Sequence, residues 1–320
     1  MGILAPARLE TLDFRKLLQR DQFELTKLLK ACQQQGFFYL DPADLNSPRG
    51  FDDRLEAISV AQKWFDRPLE EKMKVHQDSV TKGYKPPGTS PGVVKNMKDG
   101  YESMKMPRDD FISGSRFLPE GLKADIELFR RDLEFSHYIT TTILSCLSDL
   151  LSPTPRFEDH HCGTEASQST MIYFRYLKQA AGKSNSGVGH NKHTDLGTLT
   201  LLYSPQGGLQ VYDQASSKWK YVATQPGCYI VNVGDALRFL SGNQLLSAIH
   251  RVVPAPGYEM EHRYSSAYFL RPQNKATFQT SENTFVSALD WHDTKYRIFK
   301  ASHEEQEKNT ILTGGFDVQE

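Results

Sequence analysis

The sequence contains few cysteines, and their spacing gives no sign of a disulfide framework. The four cysteines of the 320-residue chain, Cys32, Cys146, Cys162 and Cys228, stand far apart and form no paired pattern. Scattered cysteines of this kind are typical of free thiols in a reducing compartment and not of a small secreted scaffold. We therefore expect a cytoplasmic protein without disulfide bonds.

Long apolar runs and an excess of charge of one sign are also missing. No segment approaches the roughly 18 consecutive apolar residues of a membrane span, and the N-terminus lacks the apolar stretch of a secretory signal. The 38 lysines and arginines are balanced by 39 aspartates and glutamates, for a net charge of −1. This balance gives no strong attraction for nucleic acid or for a membrane surface. We expect neither as a partner, and no pattern indicates a protein partner.

The first half of the chain carries helical patterns interrupted by one long irregular stretch. Apolar residues recur at helical spacing over residues 21–35 and 50–65, and again from Pro119 to about 151, which predicts three helices. Residues 81–118 are instead rich in glycine, proline, serine and lysine. We expect a long loop there, and long loops in compact domains are often lids or binding elements.

From about residue 169 the chain changes to short segments rich in β-branched and aromatic residues. Seven segments predict strands: MIYFRYL, LGTLTLLY, GLQVYD, KWKYVA, CYIVNVG, RVVPA and RYSSAYFL. Because no helical crossover separates them, an antiparallel double-sheet barrel is favoured over a parallel sheet. The predicted fold is mixed α and β, with a distorted double-stranded β-helix (jelly roll) core flanked by helices. We expect a single domain over 1–320, with a mainly helical part (1–168), the jelly-roll core (169–272), and a C-terminal helix and tail (273–320).

His193-Thr194-Asp195 is the stretch with the clearest chemistry, and His250 follows it on a later predicted strand. Residues two apart on a strand point to the same face, so His193 and Asp195, which we expect to begin a strand, can share a metal ion. His250 lies between the apolar segments LLSAI and RVV, surroundings that suit a neutral, metal-bound imidazole. Two histidines and one carboxylate with open coordination positions are typical of non-haem Fe(II) oxygenases. We predict that these three residues bind a metal and are catalytic.

Plainer interpretations exist for the histidines. A second His-x-Asp triplet, His76-Gln77-Asp78, lies in a polar segment after a predicted helix. If that segment is helical, its two side chains point to different faces, so we expect it to be ordinary surface. A lone buried histidine such as His250 is usually satisfied by a backbone partner. His190 should not share the strand face of His193, and we expect both His190 and His262 to be exposed or to lie behind the metal ligands.

Arg263 and Ser265 are again two residues apart on a predicted strand and share a face. An arginine inside a barrel is costly unless an anion meets it, and a guanidinium with a nearby hydroxyl suits a carboxylate. We predict that this pair binds the carboxylate of a small ligand beside the metal. The alternative is a structural arginine on an edge strand.

These residues and their surroundings resemble the 2-oxoglutarate/Fe(II)-dependent dioxygenases of the isopenicillin N synthase-like group. From 193 to 255 the segments HTDLGTLTLLY, GGLQVYD, PGCYIVNVGDALRFLSGN and SAIHRVVPA follow the family pattern almost continuously. GFFYL, WFDRPLEEK and KGY in the first half, and DWHDTKYRIF near the C-terminus, resemble the family too. The resemblance covers nearly the whole chain.

The resemblance implies Fe(II) bound by the three predicted ligands, with 2-oxoglutarate as cosubstrate, O2 as oxidant and ascorbate as a supportive reductant. Arg263 and Ser265 would hold the distal carboxylate of 2-oxoglutarate, and Tyr176 matches a family tyrosine that hydrogen-bonds the cosubstrate. Phe174 stands where plant members often carry asparagine, so one polar contact is missing or replaced. The reaction would couple oxidative decarboxylation of 2-oxoglutarate to hydroxylation, desaturation or ring rearrangement of a small, specialised-metabolite substrate.

Three other functions stay open at this point. An Fe(II) oxidase of the isopenicillin N synthase type uses no 2-oxoglutarate, and its arginine and serine grip the carboxylate of the substrate itself; formation of succinate separates the two. A zinc hydrolase would use three protein ligands and an activated water, and restoration of activity by Fe(II) with ascorbate excludes it. A non-catalytic binder that kept the fold would bind a ligand without turnover.

Overall fold

The structure, a computed structural model, describes residues 4–42, 50–114, 118–178, 189–254 and 261–318. The three predicted helices and the seven predicted strands are present, and the predicted C-terminal helix is divided into two. The α-helices are α1 (Phe14–Leu18), α2 (Gln22–Gln34), α3 (Gly50–Phe65), α4 (Leu69–Met73), α5 (Arg108–Ile112), α6 (Ile126–Leu151), α7 (Asp235–Leu240), α8 (Ala288–Lys300) and α9 (His303–Glu307). The strands are β1 (Thr11–Asp13), β2 (Phe37–Asp41), β3 (Gly83–Lys85), β4 (Tyr101–Pro107), β5 (Thr170–Tyr176), β6 (His190–His193), β7 (Leu199–Tyr203), β8 (Leu209–Asp213), β9 (Lys218–Tyr221), β10 (Tyr229–Val233), β11 (His250–Val252), β12 (Arg263–Leu270), β13 (Thr277–Gln279) and β14 (Phe285–Ser287).

Two sheets contain most of the strands. The larger has eight strands in the order β1-β2-β10-β7-β12-β5-β4-β3, and the smaller has four in the order β6-β11-β8-β9. Apart from the parallel pair β1 and β2, the neighbouring strands of both sheets run antiparallel. The expectation of a mixed α and β protein built on antiparallel sheets is confirmed. All seven strands predicted after residue 169 are present.

The two sheets face each other across a shared apolar core. Phe37 of β2 and Ile172 of β5, in the larger sheet, belong to the same buried cluster as Leu209 and Val211 of β8 and Val252 of β11, in the smaller sheet. Alternate residues of a strand point to the same side. One set of side chains from β5, β11 and β12 therefore points into the space between the sheets, which is where the candidate site lies.

Helices cover the opposite face of the larger sheet. α3 and α6 pack on β12 there, and a fully buried salt bridge joins Arg54 of α3 to Asp132 of α6 (Nε–Oδ1 2.6 Å). The hydroxyl of Tyr173 in β5 donates to the same carboxylate (2.6 Å), so one polar network ties both helices to the sheet. Removing one partner of such a buried pair typically costs about 3–5 kcal/mol. Within the described residues, none of the helices combines the length and apolar character needed to cross a bilayer.

α2 shows how the local sequence sets the bounds of a helix. Asp21 caps its N-terminus by accepting a hydrogen bond from the amide of Glu24 (2.9 Å), and Leu25 begins its buried apolar face. Gly36 follows the helix with a φ of +66°, and a Cβ at this position would lie 2.2 Å from the carbonyl oxygen of Leu246. Only glycine combines this conformation with so close an approach, and the chain turns there directly into β2.

The prediction of a long loop over residues 81–118 is wrong for much of that stretch. β3 and β4 extend the larger sheet in this region, and α5 follows them. The sequence of β4, YESMKMP, shows no regular alternation of apolar and polar residues, because polar side chains are buried on both faces of the strand. Glu102 is paired with Lys72 (2.8 Å) and Arg175 (2.5 Å), while Lys105 points to the other side. Hydrophobic periodicity cannot detect a strand whose buried positions are filled by charged side chains.

A buried histidine beside α6 gives the fold a predictable pH dependence. The ring of His161 contacts the carbonyl oxygen of Phe157 (Nδ1–O 2.9 Å) and the hydroxyl of Thr198 (Nε2–Oγ1 2.7 Å), and burial lowers its pKa to about 3. The folded protein therefore binds fewer protons than the unfolded chain, whose histidine has a pKa of about 6.5. The stability linked to this group is complete above about pH 6.5 and is lost as the pH falls toward 3.

We expect His161→Gln to lose less stability on acidification than the wild type, because the substituted side chain takes up no proton on unfolding. When the pH is lowered from about 7.5 to about 5, the free energy of unfolding of the wild type should fall by about 2 kcal/mol more than that of His161→Gln. Urea unfolding at the two pH values measures it. Equal losses in the two proteins would show that His161 does not contribute to acid sensitivity in this range.

Candidate metal centre and its two cavities

The two predicted histidine ligands lie directly opposite each other on neighbouring strands. β6 and β11 pair antiparallel with His193 opposite His250, and the ring centroids are 4.3 Å apart. The prediction that His193 and Asp195 begin a strand is wrong, because His193 ends β6 and Asp195 lies in the turn after it. That turn nevertheless brings the carboxylate beside both rings.

The three predicted ligands form one compact donor set. Oδ1 of Asp195 lies 3.5 Å from Nε2 of His193 and 3.7 Å from Nε2 of His250, and donor atoms of all three lie within 4.8 Å of one another. Nδ1 of each histidine faces a backbone carbonyl, that of Asn191 at 2.7 Å and that of Ala248 at 3.1 Å. The Nδ1 protons are therefore donated to the backbone, and the Nε2 lone pairs remain available to a metal.

The other oxygen of Asp195 is held by the larger sheet. Oδ2 accepts hydrogen bonds from the hydroxyl of Thr200 on β7 (2.5 Å) and from the amide of Asn232 on β10 (2.8 Å). These two bonds turn Oδ1 toward the histidines. The carboxylate is thus oriented by the larger sheet while both imidazoles come from the smaller one, so the donor set forms only where the two sheets meet.

Residues of α7 and α8 also support the turn that carries Asp195. The amide of Asp235, at the start of α7, donates to the carbonyl of Asp195 (2.7 Å). The hydroxyl of Thr194 donates to the Asp235 carboxylate (3.1 Å), and Lys295 of α8 bonds to both side chains. Gly234 packs so closely here that a Cβ would lie 2.3 Å from a neighbouring carbonyl oxygen. Supporting contacts of this kind orient metal ligands before the metal binds.

We expect Asn232→Leu to bind Fe(II) about 10- to 100-fold more weakly, the usual effect of losing a partner that orients a metal ligand. Leucine has a similar size but donates no hydrogen bond, so the Asp195 carboxylate would keep only its bond from Thr200. Competition with a chelator under anaerobic conditions measures the affinity, and the melting temperature of the metal-free variant checks that it is folded. An unchanged affinity in a folded variant would contradict this role.

The electrostatics of the donor set suit a metal cation. Burial lowers the pKa of His250 to about 4, so its ring is neutral near pH 7. For Asp195, burial alone would raise the pKa, but the rings of His250 and His193 and the amide of Asn232 hold it well below its usual range. A carboxylate anion and a neutral imidazole are the protonation states in which these side chains bind metals.

Arg263 and Ser265 lie on the interior face of β12, where Arg263 is paired with Tyr176 of β5. Nε of Arg263 donates to the carbonyl of Gly207 (2.7 Å), Nη1 lies 3.3 Å from the Ser265 hydroxyl, and the guanidinium lies 4.8 Å from the centre of the Tyr176 ring. Arg263 is only 8% exposed, burial lowers its pKa, and within the described residues it forms no ion pair with a carboxylate. A buried cation without an anion is unfavourable, so this position suits a small anionic ligand.

A narrow cavity connects this guanidinium with the metal donors. Its walls include all six residues predicted for the site, together with apolar side chains such as Phe37 and Leu209. One end therefore offers open metal coordination and the other a guanidinium with a hydroxyl. A short ligand with a chelating group at one end and a carboxylate at the other matches this arrangement.

A second cavity, of about 250 Å³, opens on another side of the donor set. It shares His193, Asp195 and Phe174 with the narrow cavity, and its outer walls come from β4, α8 and the segment after α4. Phe174 contributes apolar surface to both cavities. Two cavities that meet at one metal-binding face can hold a cosubstrate and a substrate side by side.

The remaining histidine predictions have two outcomes. His76 and Asp78 are exposed, as expected, and lie at the rim of the larger cavity. The prediction that His190 avoids the strand face of His193 is wrong, because its ring stacks on that of His193 with centroids 4.5 Å apart. The pairing of β6 with β11 shifts between these residues, and such a bulge changes the direction in which a side chain points. His190 thus packs against the donor set through the ring of His193.

The sequence-based prediction missed the residues that orient Asp195 and those that give the larger cavity its charge. Asn232 is a single polar residue within the apolar segment YIVNV, and a buried amide of this kind normally has a hydrogen-bond partner. That signal could have identified it. Lys105 and Arg271 also line the larger cavity, but neither stands in a pattern that predicts this position.

Comparison with known proteins agrees with the geometry. Residues 168–272 match the family described as the 2OG-Fe(II) oxygenase superfamily, and residues 9–121 match the family described as the non-haem dioxygenase in morphine synthesis N-terminal. The 2-oxoglutarate-dependent dioxygenase frbH of Dothideomycetidae sp. (strain 11243) is 42% identical, over 97% of this chain and 96% of its own. The 2-oxoglutarate-dependent dioxygenase FG08081 of Gibberella zeae is 39% identical, over 97% and 93%.

Solved structures share the fold at lower identity. A full-length Neurospora crassa protein in complex with alpha-KG superposes with a TM-score of 0.74 and 22% identity, over 93% of this chain and 99% of that one. JOX2 in complex with 2OG, Fe and JA gives a TM-score of 0.70 and 21% identity, over 95% and 90%. The sequence matches, extending over nearly the whole chain, show that this protein belongs to the 2OG-Fe(II) oxygenase superfamily, the Fe(II)- and 2-oxoglutarate-dependent dioxygenases.

Proposed function

We propose that His193, Asp195 and His250 bind Fe(II), and that the chain couples oxidative decarboxylation of 2-oxoglutarate to oxidation of a small organic molecule in the larger cavity. The observation that carries this proposal is the position of the donor set, between the larger cavity and a narrow cavity that ends at Arg263. Two imidazoles and a carboxylate suit Fe(II). The bound iron would supply the activation of O2, with succinate and CO2 as the products from 2-oxoglutarate.

The residues around the narrow cavity would bind and orient the cosubstrate. Arg263 and Ser265 would hold the distal carboxylate of 2-oxoglutarate, with the ring of Tyr176 packed against the guanidinium. The keto-acid end would then lie at the open side of the donor set. Phe174 adds no hydrogen bond, so the polar recognition of the cosubstrate would depend on Arg263, Ser265 and the hydroxyl of Tyr176, which lines the same cavity.

The larger cavity would bind the substrate. Its surface includes apolar side chains close to the donor set, among them Leu196, Phe269 and Phe299, which would exclude water from the reacting C–H bond. A small specialised metabolite remains the proposed class of substrate. Hydroxylation, desaturation and ring rearrangement differ only in where the reacting bond is held relative to the metal.

Two finer proposals concern the fold and the cellular setting. The two facing antiparallel sheets, with helices on the outside of the larger one, support a distorted jelly roll as the architecture of the core within a single domain. The four cysteines are free thiols, which supports a location in the reducing cytoplasm.

Anaerobic titration of the metal-free protein with Fe(II) and then with 2-oxoglutarate tests the proposed function directly. We expect a weak visible charge-transfer band that appears only when both are present, because the keto acid would chelate the iron. The band should be absent in His193→Ala. After admission of O2, succinate should form together with the oxidised product.

The outcome of that titration also separates the alternatives. Bound iron without a band, and without succinate, would favour the oxidase that uses no 2-oxoglutarate. Failure of Fe(II) to bind wild-type protein would refute both iron-dependent functions. A band and succinate without any oxidised product would show that the substrate is still missing from the assay and that the cosubstrate site is nevertheless correct.

A further inference from the structure

The larger cavity contains more positive charge than its neighbouring carboxylates balance. Three of its lysines are already paired: Lys85 with Asp99, Lys295 with Asp235, and Lys300 with Asp78. Two further cations, Lys105 and Arg271, also line it. Neither of these forms an ion pair with any carboxylate in the part of the chain that the structure describes. The cavity therefore has two cationic groups that make no direct ion pair with those residues and that Asp195 and Asp78 attract only at longer range.

Lys105 lies on the interior face of β4, opposite Ile172 of β5. It is 5% exposed, and its ammonium donates to the backbone carbonyl of Ser79, a neutral acceptor. Burial, together with the positive charges of Lys85 and Arg271, lowers the pKa of Lys105 to about 7. An anion beside Lys105 would favour its protonated form, and an ammonium has three donors, so donors remain for a ligand that enters the cavity.

Arg271 continues the interior face of β12, two residues beyond Phe269. It is 5% exposed, its Nη1 donates to the carbonyl of Gln168, and its buried Nε has no hydrogen-bond partner among the described residues. Burial lowers the pKa of Arg271 to about 10. A buried guanidinium donor without an acceptor is unusual, and it indicates that a group absent from the protein itself completes this part of the cavity.

We infer that the substrate is an organic anion whose carboxylate, or a similarly small negative group, lies against Lys105 and Arg271. This inference rests on the proposed function, because it names the substrate class of the same site. Apolar side chains of similar volume would fill these two positions at lower cost than unpaired buried charges. Since Phe174 and Phe269 line both cavities, the apolar part of such a substrate would face the metal donors, and its C–H bonds would lie where oxidation occurs.

The cosubstrate itself does not satisfy these cations. Arg263 and Arg271 lie on the same face of one extended segment and are eight residues apart, which corresponds to about 26 Å between their Cα atoms. A five-carbon dicarboxylate that is held by Arg263 and chelates the metal does not extend to the far end of that segment. A second anion is therefore needed, and the larger cavity is open to it.

The test compares matched ligands that differ in charge. A panel of small aromatic and aliphatic carboxylic acids is titrated, each beside its primary amide and its phosphate-bearing analogue, into the anaerobic Fe(II) and 2-oxoglutarate complex. Thermal stabilisation and calorimetry measure binding without turnover. We expect members of the acid panel to bind wild-type protein at least about tenfold more tightly than their amides, as expected for hydrogen bonds to charged groups.

Substitutions test which residues cause the preference for acids over amides. Lys105→Met and Arg271→Met should each reduce the preference for acids about tenfold or more, and Lys105→Arg should retain most of it. Lys300→Met, which removes a cation of the same cavity that Asp78 already balances, should leave it unchanged. Stronger binding of the phosphates than of the acids would still support an anionic substrate and would identify its charged group.

Three results would overturn the inference: amides that bind as tightly as acids, no binding by any acid of the panel, or a preference that survives both methionine substitutions. The visible band of the 2-oxoglutarate complex is recorded in the same samples. Its absence in wild-type protein would refute the proposed function, whereas its presence without a preference for acids would refute only the anionic substrate. If the band is absent, the acid and amide comparison is made on the Fe(II) protein alone.

Discussion

Asp195→Ala is expected to weaken Fe(II) binding by about a thousandfold, since removing one partner from a buried charge interaction costs about 3–5 kcal/mol. Asp195 is the carboxylate of the candidate donor set, so it would supply the negative charge that faces a bound metal. Its removal would also leave the donors of Thr200 and Asn232 without their acceptor. Oxidation that depends on 2-oxoglutarate should fall with the loss of iron.

The chain provides a matched control for this substitution. Asp78 also follows a histidine by two positions, but it is exposed and paired with Lys300, so Asp78→Ala should bind Fe(II) like the wild type. Anaerobic chelator competition on both variants measures the difference. If the two substitutions had equal effects on the Fe(II) affinity, the assignment of Asp195 as a metal ligand would be wrong.

Arg263→Met should weaken the binding of 2-oxoglutarate by about a hundredfold or more, because truncating one partner of a buried, hydrogen-bonded charge pair typically costs about 2–5 kcal/mol. Methionine keeps much of the apolar stem but offers no donor to the distal carboxylate. Fe(II) affinity should stay near that of the wild type, because Arg263 contacts Gly207, Ser265 and Tyr176 rather than the donor set. Titration of the charge-transfer band measures the 2-oxoglutarate affinity, and chelator competition measures that for Fe(II).

Arg271→Met is the matched control for the cosubstrate. It removes a second buried guanidinium from the same strand face, but at the far end, so the affinity for 2-oxoglutarate should change little. Ser265→Ala should have a smaller effect than Arg263→Met, about tenfold, since it removes one hydrogen bond to a charged group. Undiminished binding of 2-oxoglutarate to Arg263→Met would exclude Arg263 as the carboxylate anchor.

Much of the site could be predicted from the sequence because its residues follow strand periodicity. His250, Arg263 and Ser265 each stand on a short apolar segment, and residues two apart on such a segment face the same side. Polar side chains that point into an apolar interior need a hydrogen-bond partner, a metal or an oppositely charged group. Residue type and spacing were therefore enough to predict that His193, Asp195 and His250 come together and to propose Arg263 and Ser265 as a carboxylate-binding pair.

Strand periodicity failed where long-range pairing replaces apolar burial. The stretch that contains β4 was predicted to be a loop because two of its buried residues, Glu102 and Lys105, are charged and lie on opposite faces of the strand. Their partners come from distant parts of the chain. The predicted local geometry of Asp195 was also wrong, because a turn rather than a strand carries it. In both cases contacts that are remote in sequence overrode the local pattern.

The sequence by itself determined seven of the strands after residue 169, because their residue types and alternation are local. It also supplied the candidate metal donors and the candidate carboxylate-binding pair, because these were chosen by the chemistry of their side chains. Only the tertiary structure decided which oxygen of Asp195 faces the histidines, since Thr200 and Asn232 approach it from other strands. It also decided that Lys105 and Arg271 share one cavity without carboxylate partners among the described residues. Those positions depend on how the two sheets and the helices pack together, and no local pattern records that packing.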